Sequence, residues 1–73
     1  MKSLVDLNVG EAGKVIAFGN QGIVRKRLLD MGITTGVNLK LVKVAPLGDP
    51  IEIEVRGYNL SLRKSEAKEI KID

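Results

Sequence analysis

Two G-x-x-G runs, Gly10-Glu11-Ala12-Gly13 and Gly19-Asn20-Gln21-Gly22, are the segments of this sequence whose spacing could cradle a phosphate. The first leads into Lys14, as a phosphate loop does. A nucleotide-binding P-loop, however, needs G-x-x-x-x-G-K followed by Ser or Thr to hold magnesium, and Val15 stands in that place. Read as KH-type loops, both runs would have to clamp a nucleic-acid backbone between helices, yet each adjoins a segment of strand character, and Glu11 would repel phosphate. Glu52 and Glu54 share one face of a strand, where two carboxyls could act as general acid and base. Their alternation with Ile51, Ile53 and Val55 turns them to solvent instead, as solubilising charge. Asp6, Asp30 and Asp49 share no metal-ligand spacing.

Composition narrows the chemistry further. The chain of 73 residues contains no histidine and no cysteine, which removes disulfides, thiolate chemistry, the usual zinc and iron ligand sets and the side chain best suited to proton transfer at neutral pH. No catalytic, cofactor or metal residues are expected. Its 12 basic and 9 acidic residues leave a formal charge of +3, too small a surplus to imply nucleic acid or anionic lipid. Arg25-Lys26-Arg27 is the concentrated charge feature; on a helix it fans out widely, with Asp30 in i+3 or i+4 reach of Arg27 and Lys26. With a single Phe and a single Tyr, stacking platforms for single-stranded nucleic acid and aromatic grooves for proline-rich peptides cannot be furnished. Phe18 is expected in the core, and Tyr58 at a hairpin tip. Every apolar stretch is interrupted within a few residues, so a soluble protein in a reducing setting, without a membrane span, is expected.

The elements that must position these residues are mostly strands. Both prolines fall in Pro46-Leu47-Gly48-Asp49-Pro50, a rigid turn, and the next run, Ile51 to Arg56, alternates apolar with polar. Arg56-Gly57-Tyr58-Asn59 then reads as a tight hairpin and Leu60-Ser61-Leu62 as the returning strand, with Ile51, Ile53, Val55, Leu60 and Leu62 inward. Earlier, Leu4, Leu7 and Val9 lead to a turn at 10–13 and a short strand, 14–18. From Gln21, with Asn20 as N-cap, Val24, Leu28 and Met31 lie on one face of a helix that Gly32 closes. The alternation of Val37, Leu39 and Leu41 slips by one residue at Val42, the mark of a β-bulge. Ser65 starts a helical turn, and Glu69 to Ile72 form the last strand. Five to six short strands with one inserted helix make a small curled sheet or barrel in a single domain, 1–73, with just enough apolar content for one core.

Read together, Arg27-Leu28-Leu29-Asp30-Met31-Gly32, Thr35-Gly36, Pro46-Leu47-Gly48-Asp49-Pro50-Ile51, Arg56-Gly57-Tyr58-Asn59-Leu60-Ser61-Leu62-Arg63-Lys64 and Ala67 closely resemble the FeoA family of bacterial ferrous-iron-transport accessory proteins. The resemblance covers essentially the whole chain, with its pieces in order and at the right spacing. It implies an SH3-like small barrel in the cytoplasm that acts as an adaptor for FeoB, a membrane iron transporter carrying a GTPase domain. The same domain type occurs in metal-dependent repressors of the DtxR kind, joined there to a helix-turn-helix unit. Function would then reside on surfaces, and Arg25, Lys26, Leu47 and Tyr58 are the expected partner-binding residues. Two other readings stay open: a small basic barrel that binds nucleic acid, and a self-associating domain that forms a homodimer.

Overall fold

The computed structural model describes residues 2–19 and 22–73. In chain order the elements are β1 (Lys2–Ser3), a 3-10 turn (Leu4–Asp6), β2 (Ala12–Phe18), α1 (Ile23–Asp30), β3 (Asn38–Val44), β4 (Ile51–Val55), β5 (Tyr58–Leu62), α2 (Lys64–Ala67) and β6 (Ile70–Ile72). The strands form one antiparallel sheet in the order β1-β6-β2-β3-β4-β5. It is mainly β, as the alternation predicts.

The β3–β4–β5 meander follows directly from local sequence. Ile51, Ile53 and Val55 are buried and Leu62 is buried beside them, while Leu60 is only half-buried. Arg56 and Gly57 turn the chain in two residues, both at positive φ (52° and 86°), the conformation whose twist matches the flanking strands. The expected bulge lies in β3, where the register against β4 shifts between Leu41 and Lys43. A second irregularity breaks the β2–β6 register between Val15 and Ala17. Together these bends let a sheet of short strands curl around one core that includes Leu4, Val15, Leu28, Ile33, Leu39 and Ile53, each no more than 1% exposed.

The helices and the first turn depart from expectation in detail. The turn before β2 is Asn8–Glu11, closed by Glu11 N–H to the Asn8 carbonyl (2.9 Å) and Asn8 N–H to Glu11 Oε1 (2.7 Å), so the strand already begins at Ala12. The N-cap expected at Asn20 and the helix start at Gln21 lie outside the described residues; α1 is described from Ile23, after Gly22 at φ 74°. Its inner face is as predicted: Leu28 is buried, and Val24 and Met31 pack against the core. Ser65 does not start α2. That place is held by Arg63, whose N–H donates to Glu66 Oε1 at 3.0 Å, so the carboxylate one turn on supplies the reciprocal half of a capping box.

Candidate docking surfaces

The helix α1 and the hairpin β4–β5 meet at one point. Met31 follows the last turn of α1, where carbonyls lack helical partners. Tyr58 reaches across from the start of β5 and its hydroxyl donates to the Met31 carbonyl at 2.8 Å. Gly32, next in the chain, has φ 89°, and a Cβ built there would lie 2.7 Å from the Tyr58 hydroxyl oxygen. Glycine is therefore required twice over: for the left-handed backbone that ends the helix, and for room under the tyrosine. Tyr58 is 44% exposed as a residue while its polar tip is structural.

Leu47 has the opposite character. It stands 96% exposed in the β3–β4 turn, and the next residue, Gly48, helps line a depression of about 120 Å³ together with Val5, Leu41, Val44 and Ile51 among others. The Gly48 N–H to Ala45 carbonyl bond (2.7 Å) and the Lys64 N–H to Asp49 Oδ1 bond (3.0 Å) hold the turn by its neighbours and leave the leucine side chain outside. Leu47 and Tyr58 flank β4 at its two ends, so the structure does not bring them together.

On α1, the three cations divide. The Arg25 guanidinium lies over the Phe18 ring, 5.9 Å from its centroid, and Phe18 packs against the core as expected while remaining half-buried. Lys26 is exposed. Arg27 pairs with Glu66 at 3.0 Å, not with the Asp30 that helix spacing put in reach. Glu66 is the residue that sequence reasoning missed: its carboxylate is 6% exposed overall and splits its oxygens between the α2 N-terminus and Arg27. The Arg63-to-Glu66 spacing was the available signal, since Glu at the third helical position commonly folds back on the cap. Glu52, on the polar face as predicted, accepts from Asn59 Nδ2 at 3.0 Å, and Glu54 is exposed. Among the described residues, no group of three or more His, Cys, Asp or Glu gathers to hold a metal, and no helix is long and apolar enough to cross a membrane.

A six-stranded antiparallel sheet bent at two register shifts, with a few helical pieces, defines the class: an SH3-like small barrel. The chain belongs to the FeoA family, whose domain model matches residues 2–73. It is 42% identical to a FeoA-like protein from Clostridium acetobutylicum, covering 97% of this chain and 83% of that one, with a TM-score of 0.90. A FeoA from Stenotrophomonas maltophilia, crystallised with zinc and described as an SH3 domain protein, is 25% identical over 100% of this chain and 91% of its own, with a TM-score of 0.87. A curated relative from Porphyromonas gingivalis is an Fe(2+) transport protein A/FeoB fusion, 34% identical over 96% of this chain. The chain spans 8% of the length of that relative.

Proposed function

We propose that the chain is a cytoplasmic, non-enzymatic accessory protein of ferrous iron transport that docks on the cytoplasmic region of a FeoB-type transporter. The observation that carries this reading is the fused relative, in which a segment like this chain and a FeoB transporter share one polypeptide. Covalent linkage keeps two modules at high effective concentration, an arrangement suited to partners that work together. Arg25, Lys26, Leu47 and Tyr58 are the proposed contacts, Leu47 being the apolar side chain most open to a partner.

Docking could act by biasing a GTPase conformation or by inserting an arginine at the developing phosphate charge. The arginines favour the first. Arg27 is held by Glu66, Arg25 lies on Phe18, Arg56 donates to Thr34 Oγ1 at 3.4 Å, and Arg63 occupies the start of α2. None projects from an extended loop. The test is co-purification with a FeoB-type transporter with and without GTP, followed by titration of its GTP turnover with wild type and with Arg25→Ala, Arg27→Ala, Arg56→Ala and Arg63→Ala. Graded loss of affinity with an unchanged plateau is expected. Collapse of the plateau in one variant at unchanged affinity would establish an inserted arginine, and failure of wild type to bind would end the adaptor reading.

A further inference from the structure

The sheet has two edges, and they are finished differently. β1 is only Lys2–Ser3, short and carrying a lysine, as protected edges are. β5 is five residues long and contains neither lysine nor proline, the usual guards of an exposed edge. Its backbone direction follows from its neighbours. Leu41 bonds toward the β2 side, accepting from Gly10 N–H (2.7 Å) and donating to the Glu11 carbonyl (2.9 Å), so the next residue, Lys40, faces its partner Glu54 in β4. Alternation then turns Ile53 and Val55 toward Leu60 and Tyr58, and leaves the N–H and C=O groups of Asn59 and Ser61 pointing away from the sheet. Among the described residues, no turn, loop or side-chain hydrogen bond is made to these outward groups.

Charge specifies what could add to this edge. The side chains of its middle, Asn59 and Ser61, are neutral and exposed, and Glu54 and Glu52 lie opposite them one strand in, so the middle disfavours further acid. Cations flank it: exposed Arg56 at the hairpin end, and exposed Arg63 and Lys64 at the other. Arg56 stands at φ 52° in a turn position where Asn, Asp or Gly is preferred, so a cation is kept there against the local backbone preference. Pairing with a second copy, antiparallel and centred on Leu60, would set Arg56 opposite Lys64 of that copy and repel at both ends. A segment with carboxylates at its ends and a neutral middle has no such conflict, its acid meeting the cations and staying clear of Glu52 and Glu54.

We propose that β5 is a strand-addition site that takes an extended segment bearing Asp or Glu at both ends, its backbone pairing with Asn59 and Ser61 and its carboxylates meeting Arg56 at one end and Arg63 and Lys64 at the other. The adaptor reading above supplies the source of the segment, the transporter's cytoplasmic region, while the chemistry rests on the edge alone.

The test uses the full chain, isotope-labelled, with amide exchange of Asn59 and Ser61 as readout. One arm adds a short peptide of alternating valine and threonine with glutamates at both ends, or the same peptide with lysines there. The other adds the cytoplasmic region of a FeoB-type transporter. The glutamate peptide should slow both amides and bind at least about tenfold tighter than the lysine peptide. Ser61→Pro removes one outward N–H at an edge position where proline is tolerated, and should weaken binding about tenfold with the melting temperature retained. Arg56→Glu, which leaves the strand intact, should do the same. Failure of the glutamate peptide to protect the two amides would overturn the inference, as would protection that grows with protein concentration alone, which indicates self-pairing. Transporter binding with Asn59 and Ser61 still exchanging freely would overturn it and leave the adaptor reading standing. Protection by the peptide without transporter binding would uphold the edge site and remove its assigned source.

Discussion

Leu47 stands at one end of β4 and Tyr58 at the other, both apolar residues exposed at chain reversals, and the fold gives them unlike roles. Tyr58 is tied through its hydroxyl to the Met31 carbonyl just past α1, and that hydroxyl lies where a Cβ on Gly32 would have to go. Leu47 touches so little that 96% of its surface stays open. At the Tyr58 end a surface residue joins two elements, and substitution there must disturb the fold as well as any partner. At the Leu47 end the turn is held by Ala45, Gly48 and Asp49, and the side chain is free for a partner at no cost to stability. A partner-binding phenotype is therefore interpretable at Leu47 alone, and at Tyr58 only with a stability control.

The strand joining the two ends sets the scale. Ile53, fully buried at the middle of β4, should cost about 2–5 kcal/mol when replaced by Ala, most of what a domain of this size has to lose. An unchanged melting temperature would show that the β4 register is misread. Next comes Gly32→Ala, which meets both the left-handed backbone and the Tyr58 hydroxyl and should destabilise by about 2 kcal/mol. In a Tyr58→Phe background the oxygen is gone, so the same substitution should cost less, and a double-mutant cycle by denaturant titration measures the difference. Strict additivity would mean that the tyrosine does not press on Gly32. Tyr58→Phe alone leaves the Met31 carbonyl short of a donor and should cost about 1 kcal/mol. Leu47→Ser should shift stability by less than about 0.5 kcal/mol while weakening transporter binding. A clear drop in melting temperature at Leu47 would erase the contrast between the two ends.

How much of this was legible beforehand differs by region. From Pro46 to Leu62 the turn, the strand, a tight hairpin and a returning strand all appear in local sequence, although the reversal takes only Arg56 and Gly57 and pairing already begins at Tyr58 rather than Leu60. Proline, glycine and strict alternation act within a few residues and agree with one another. The bulge in β3 was legible for the same reason, as a slip in a period of two. Spacing on a single helix did not reveal the partner of Arg27, because Glu66 comes from an element far along the chain, and a buried carboxylate gains more from a cation than an exposed Asp30 does. Phe18 packs against the core as expected but stays half-buried, near the end of β2 beyond the irregularity between Val15 and Ala17.

By itself, then, the sequence determined a small β domain without histidine or thiol chemistry, its inward faces and its turns, since these depend on residue type and short-range geometry. Only the tertiary structure decided that Tyr58 caps α1, that Glu66 holds Arg27, that the four expected contact residues do not form one patch, and that β5 ends the sheet with its backbone open. Each of those facts is a relation between segments brought together by the tertiary fold, and no periodicity within one segment carries information about which distant segment will lie beside it.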